Sequence, residues 1–291
     1  MTLPATEQLH PESRELASLD PAGVIELMDA VESATFAAVA GARSAIAVAA
    51  TRIGEVVESG GRVAMLGAGT SGRIVAGEIS ELAPTFGDAG ERFTALVAGG
   101  GLAASIATSE DDEAAPATRI AELALGPGDA VVGVAASGTT PFVLAGIRAA
   151  RTAGAWTCGV ANNAPSPLLE GAEFGIHLAT GPEVLTGSTR LQAATAQKLA
   201  LNRMTTAAMV ATGRVSRNQM VDMRVSVEKL RARAIRIVAD LAAVTEAEAA
   251  ARPAAAARSV ATSASRGRSR AAPAAPGPPR RRNARSPRRA P

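Results

Sequence analysis

The sequence predicts a three-layer α/β fold built on a doubly wound parallel sheet. Two observations carry this. Five short apolar runs alternate with helical stretches, and the runs end in turns rich in Gly, Ser and Thr that open the next helix. Short buried strands alternating with helices mean parallel βαβ units. The runs are Arg62–Leu66, Phe93–Ala98, Asp129–Ala135, Trp156–Val160 and Phe174–Leu178.

The first 20 residues are polar and read as extended. Asp20-Pro21 then reads as an N-cap followed by proline at the first helical position. Val24, Ile25, Met28 and Val31 follow at helical spacing, and Ala-rich helix, as one or two segments, runs to about Glu58. Gly60-Gly61 ends it. After the first apolar run, GAGTSGR opens a helix that Pro84 should stop near Leu82. The second run ends in Gly99-Gly100-Gly101, and a helix follows around Pro116–Ala124. The third closes with Ala136–Pro141 and leads to a helix ending near Ala153. The fifth is followed by TGPEVLTGSTR and a long helix from about Arg190 to Ala211. A last helix is expected from Met220 to about Val244.

This divides the chain into N-terminal helices (1–59), the sheet domain (60–215), a C-terminal helical segment (216–251) and a tail (252–291). The tail holds 11 Arg, seven prolines and no acid, so it cannot bury a core and is expected to be disordered. It reads either as the product of a shifted reading frame in a GC-rich gene or as a basic arm. Such an arm would bind nucleic acid without specificity.

Composition narrows the function. The formal net charge of +3 averages two unlike parts: outside the tail, 19 basic groups face 27 acidic ones, a net of −8. There is no Tyr, one Trp and five Phe, so the core is aliphatic and aromatic stacking is not the recognition mode. Cys158 is the single cysteine, and His10 and His177 the only histidines, which excludes a disulfide framework and a Cys- or His-based metal site. Cys158 reads as a core thiol, and His177 as a packed or surface residue. No segment reaches the roughly 20 apolar residues of a membrane span, and the N-terminus lacks the apolar stretch of a signal peptide. A soluble, cytoplasmic protein is expected.

Ligands of open α/β sheets bind beyond the carboxyl ends of the strands. The turns there are GAGTSGR (67–73), AGGG (98–101), ASGTTP (136–141) and TGPEVLTGSTR (180–190). Glycine lets the backbone approach a ligand, and helix N-termini offer free N–H groups to an anion. The hydroxyls of Ser71, Ser137, Thr139, Thr140, Ser188 and Thr189 add donors, which points to a phosphorylated small molecule. The plainer reading is capping: Thr140 before Pro141 is a good N-cap, and Thr189 with Gln192 spells a capping box. Gly67-x-Gly69-x-x-Gly72 also matches the dinucleotide fingerprint, but no acid follows the second strand; Asp88 precedes it. No Walker A lysine exists.

These residues resemble the sugar isomerase (SIS) domain family, and within it the N-acetylmuramic acid 6-phosphate etherases. The resemblance covers about residues 6–245. It rests on TEQ near the start, GAGTSGR, SE-x-x-PTFG (80–87), AGG (98–100), EDD (110–112), ASGTTPFV (136–143), GPEVLTGSTRL (181–191), TAQK (195–198) and MVD (220–222). The resemblance implies a flavodoxin-like or Rossmann-like sheet, a homodimer, a sugar-phosphate ligand, and an elimination that uses neither cofactor nor metal. Glu81 resembles the family's proton donor. In the last turn of its helix it would sit where the helix dipole disfavours a negative charge. Glu110 resembles the base. The stretch before it is about two residues shorter than usual, so the register across 110–113 stays open. Ser137, Thr139, Thr140 and Ser71 would hold the phosphate, with Ser188 and Thr189 next. Glu183 and Lys198 would lie near the ligand or hold its loops. Glu78 stands where relatives carry Asp and Ala194 where they carry Gly; Leu82 and Ala83 also depart from the pattern. Arg73 would approach the phosphate or lie exposed on its helix. Two other readings fit the fold: an aldose–ketose isomerase, and a non-catalytic sugar-phosphate sensor.

Overall fold

The computed structural model describes residues 3–100, 107–225 and 227–251. Gly101, at the end of the AGGG turn, and the tail read as disordered lie outside the described residues.

All five apolar runs are strands: β1 (Val63–Gly67), β2 (Phe93–Val97), β3 (Ala130–Val134), β4 (Trp156–Ala161) and β5 (Phe174–His177). They form one sheet in the order β2-β1-β3-β4-β5, with every pair parallel. This is the flavodoxin-type order, whose direction of winding reverses between β1 and β3 and opens a crevice there.

The helices of the body are α1 (Pro21–Gly41), α2 (Arg43–Glu58), α3 (Gly69–Phe86), α4 (Ala114–Glu122), α5 (Pro141–Thr152), α6 (Pro167–Gly171) and α7 (Gln192–Ala211). Side chains alternate across each strand, so the sheet feeds two cores. Val63, Met65, Val132, Cys158 and Ile176 pack against α2, α3 and α7. Ala64, Leu66, Val131 and Ala161 pack against α4, α5 and α6. Alanines do much of the work. Ala49 and Ala50 on α2 and Ala196, Ala200 and Ala208 on α7 are buried in one cluster, and small side chains let the two helices approach closely. Cys158 is fully buried, and burial pushes its thiol up to about 12. At the opposite end of the sheet from the crevice, Trp156 stacks on Phe174 with ring centroids 6.3 Å apart.

Asp20 caps α1 as expected, accepting a hydrogen bond from Gly23 N–H at 2.8 Å. Three expectations need correction. The first 20 residues are not extended: they make 3-10 turns at Ala5–Glu7, Pro11–Ser13 and Leu16–Ser18. Pro84 does not stop α3, which continues to Phe86. A proline this close to a helix end forfeits one backbone donor, and the turn stays closed through Gly87 N–H to the Ala83 carbonyl and Thr85 Oγ1 to the Glu81 carbonyl (2.6 Å). Residues 215–220 form a small antiparallel hairpin, β6 (Val215–Ser216) and β7 (Gln219–Met220), and helix resumes only at α8 (Glu228–Ala242), before α9 (Glu246–Ala250). Arg217, at φ +56, turns the chain there. Val221 and Met223 then pack on Ile237 and Leu241 of α8. Among the described residues no single helix is long and apolar enough to cross a membrane.

Asp129, buried just before β3, accepts from Arg62 N–H (2.7 Å) and Gly126 N–H (3.0 Å) and pairs with the Arg62 guanidinium (2.8 Å). Burial alone would raise its carboxyl. The Arg62 and Gly126 hydrogen bonds and the Arg62 charge outweigh burial and hold it below the ordinary value.

Candidate active site

The site is built at the carboxyl ends of β1 and β3. GAGTSGR is the turn from β1 into α3, and its three glycines have separate duties. Gly67 and Gly72 pack backbone on backbone: a Cβ on Gly72 would stand 2.7 Å from the Gly67 carbonyl oxygen. Gly69, at φ +51, makes room for a carboxylate, since a Cβ there would stand 2.6 Å from Glu110 Oε1. The dinucleotide-like spacing thus serves strand–helix packing and a neighbouring acid.

That acid is one of four in a row, and the structure separates them. Asp112 caps α4, accepting from Ala114 and Ala115 N–H at 2.9 and 3.0 Å. Glu113 pairs with Arg148. Asp111 is exposed. Glu110 is half-buried and lies against Gly69 at the start of α3.

Across the crevice, ASGTTP joins β3 to α5. Ser137 Oγ accepts from Thr139 N–H (3.1 Å) and Thr139 Oγ1 (3.0 Å), folding the turn into a tight hydroxyl cluster. Thr140 occupies the N-cap position of α5 but makes no side-chain capping bond, contrary to the capping reading. The capping box of Thr189 and Gln192 is also absent. Glu183, fully buried, caps α7 instead, accepting from Gln192 and Ala193 N–H at 2.9 Å each. Each carboxylate oxygen takes one N–H group, so both donors are occupied from inside the core. Burial pushes the Glu183 carboxyl up, against the opposing pull of those two N–H groups and of nearby His10. Of the three helix starts at these turns, α3 therefore faces Glu110 and α7 is taken by Glu183. Only the start of α5, with Ser137, Thr139 and Thr140, is left for an outside anion.

Ser188 and Thr189 are half-buried in the loop before α7. Ser71 is buried and donates to Gln197 Oε1 at 2.8 Å. Gln197 Nε2 in turn donates to Asn162 Oδ1 (2.9 Å), and Asn162 Nδ2 to the Leu178 carbonyl (3.2 Å). The polar pair Asn162-Asn163, directly after the apolar run of β4, is the sequence signal that marks this buried network. Arg73 is exposed and donates to Thr70 Oγ1 at 3.1 Å. His177 is exposed at the end of β5, its Nε2 3.3 Å from the Asn162 carbonyl oxygen.

Lys198 and Glu81 lie away from the crevice. Lys198 Nζ pairs with Glu78 at 3.0 Å. Glu78 is buried and also accepts from Asn202 (2.6 Å) and Thr205 (2.7 Å), which clamps the middle of α3 to α7. Glu81 is exposed one turn further on. It does not sit in the last turn, because α3 continues to Phe86. Twelve residues separate it from Gly69, about 18 Å along the helix axis. Glu81 and Glu110 of one chain therefore cannot reach the same sugar carbon or its neighbour.

Residues 45–151 match the family of the glucokinase regulatory protein N-terminal SIS domain. A parallel 2-1-3-4-5 sheet with hydroxyl-rich turns at its switch point fits that match, and the chain is a SIS-domain protein. Two curated relatives are more specific. An N-acetylmuramic acid 6-phosphate etherase from Deinococcus radiodurans is 43% identical over 235 residues, covering 80% of this chain and 77% of the relative. One from Streptomyces avermitilis is 43% identical over 236 residues, covering 80% and 76%. Among solved structures, a phosphoheptose isomerase from Francisella tularensis has a TM-score of 0.49 at 19% identity, covering 64% of this chain and 96% of that one. The chain belongs to the N-acetylmuramic acid 6-phosphate etherase family.

Proposed function

We propose that this chain cleaves the D-lactyl ether of N-acetylmuramic acid 6-phosphate, giving N-acetylglucosamine 6-phosphate and D-lactate, in the cytoplasm. One observation carries the reading beyond family membership. Glu110 is held over the start of α3 while, across the same crevice, the start of α5 is open beside Ser137, Thr139 and Thr140. That pairing suits a phosphate at α5 and a base at the sugar.

The chemistry then runs as follows. Opening of the sugar ring exposes the C1 aldehyde, which acidifies the C2 proton. Glu110 removes that proton. The electron pair forms the C2–C3 double bond and expels the lactate oxygen from C3, with an acid protonating the oxygen as it leaves. Water then adds at C3 and a proton returns to C2, so the net change is hydrolysis. A base and an acid are needed at adjacent carbons. Glu81 fits the acid by motif, yet lies about 18 Å along α3 from Gly69, against which the Glu110 carboxylate of its own chain rests. We therefore infer a homodimer in which Glu81 of a second copy enters the site. Glu183 and Lys198 hold loop and helix in place in this reading. Ser71 acts through Gln197 in this reading.

The test is D-lactate release from N-acetylmuramic acid 6-phosphate by the purified chain, with no metal or nucleotide added. Release is expected. A folded protein that binds sugar phosphate and releases no lactate would overturn the reading in favour of a sensor.

A further inference from the structure

The start of the chain is built into the site. Thr6 is only 1% exposed, and all three of its polar groups are engaged. Its N–H donates to Asn163 Oδ1 (3.2 Å), its hydroxyl accepts from Asn163 Nδ2 (2.8 Å), and its carbonyl accepts from Gly187 N–H (3.2 Å). Asn163 Nδ2 also reaches the Ala136 carbonyl at 3.4 Å. Ala136 begins the turn into α5, and Gly187 precedes Ser188 and Thr189. Thr6 therefore joins the two hydroxyl-bearing loops, through an asparagine 157 residues away in sequence and through Gly187. Apolar burial does not explain this docking, because Leu3 and Leu9 on either side are 63% and 69% exposed.

Glu7 follows directly. Its side chain is exposed, and Oε2 lies 3.0 Å from where a Cβ on Gly187 would stand. Among the described residues it forms no ion pair. A carboxylate here would repel a phosphate, and the groups of a sugar phosphate that suit it are the hydroxyl and amide donors of the sugar.

We propose that residues 5–7 form a third wall of the sugar-phosphate site, in which Thr6 positions the two loops and Glu7 accepts a hydrogen bond from a hydroxyl or amide N–H of the sugar. The inference rests on the sugar-phosphate reading above. It is tested by calorimetric binding of N-acetylglucosamine 6-phosphate and of inorganic phosphate to the wild type and to Glu7→Gln, Thr6→Val and Thr6→Ser, alongside lactate release. Glu7→Gln replaces a charged acceptor by a neutral one. It should weaken the sugar phosphate about tenfold, with inorganic phosphate held within about twofold. Thr6→Val should raise KM and lower kcat at 25 °C, and Thr6→Ser should restore both. Unchanged sugar-phosphate affinity in Glu7→Gln, or equal loss for both ligands, overturns the role of Glu7. A Thr6→Val protein that melts earlier but keeps wild-type kcat/KM overturns the positioning role. The two readings separate cleanly: a wild type that binds the sugar phosphate without releasing lactate refutes the etherase step and leaves the binding comparison decisive. A wild type that binds no sugar phosphate refutes both.

Discussion

If Glu81 and Glu110 of one site come from different chains, two dead variants must revive each other. Glu81→Gln lacks the acid and Glu110→Gln lacks the base, and each homodimer should lose nearly all turnover. When the two are co-expressed with different tags, subunits that pair at random make half of the dimers hybrid. In a hybrid, one site receives Glu110 from the first chain and Glu81 from the second, and is intact. The other receives both glutamines. One working site in half the dimers gives about a quarter of wild-type activity per total protein. The distance makes this sharp: about 18 Å along α3 leaves no conformer in which a glutamate side chain spans the gap within one chain. The assay is D-lactate release from the mixed preparation, and from the hybrid isolated through both tags, which should show about half of wild-type activity. Hybrids with no more activity than their parents would refute the shared site. A double variant co-expressed in equal amount with wild type gives a second reading: about a quarter of full activity if sites are shared, about half if each chain is self-contained.

Further outcomes follow from the geometry. Gly69→Ala places a Cβ 2.6 Å from Glu110 Oε1 and forces a left-handed backbone on alanine; stability should fall by only about 1 kcal/mol, since a flexible carboxylate can yield, while kcat drops about a hundredfold as the base is displaced, checked by denaturation and turnover on one preparation. Asp129→Asn should cost about 1–2 kcal/mol at neutral pH, because Arg62 keeps a half-exposed alternative in water. The sign of its pH dependence follows from its lowered pKa: the Asp129 contribution is complete above about pH 5 and is lost as pH falls through the folded value, so urea midpoints of wild type and variant should converge in acid. Glu183→Gln should show the reverse trend. The raised carboxyl of Glu183 makes its charged form a burden as pH rises, so the stability lost in the variant, about 2–3 kcal/mol from the damaged cap of α7, should be larger at low pH than at high, as thermal melts across that range would show. Cys158 should stay unlabelled by a thiol reagent at pH 8 in the native protein and react only on unfolding.

The strands were readable because β1, β3 and nearly all of β4 are buried on both faces, so apolar runs mark them; every expected run differs from its strand by at most one residue at either end. The turns at the strand ends were readable for the same reason, since topology places them wherever such runs end. Local signals failed where a distant group competed. Thr189 and Gln192 spell a capping box, yet Glu183 takes the Gln192 N–H, and that of Ala193 beside it, from inside the core. Ser71 sits in a glycine-rich turn, yet Gln197, 126 residues away, claims its hydroxyl. Pro84 gives up only its own bond to the carbonyl four residues back, and α3 closes two residues later. Thr6 carried only the TEQ match near the start and no sign of its role, because its partners, Asn163 and Gly187, come together only in the finished fold.

The stacked Trp156 and Phe174 rings have a practical consequence. The chain has one Trp and no Tyr, so this pair supplies its near-ultraviolet signal almost alone. Trp156 opens β4, and six strand residues put it about 17 Å from the loops where a ligand would sit. Its emission should follow the packing of the sheet and stay silent to occupancy of the crevice. Unfolding can therefore be followed optically at any ligand concentration without correcting for binding.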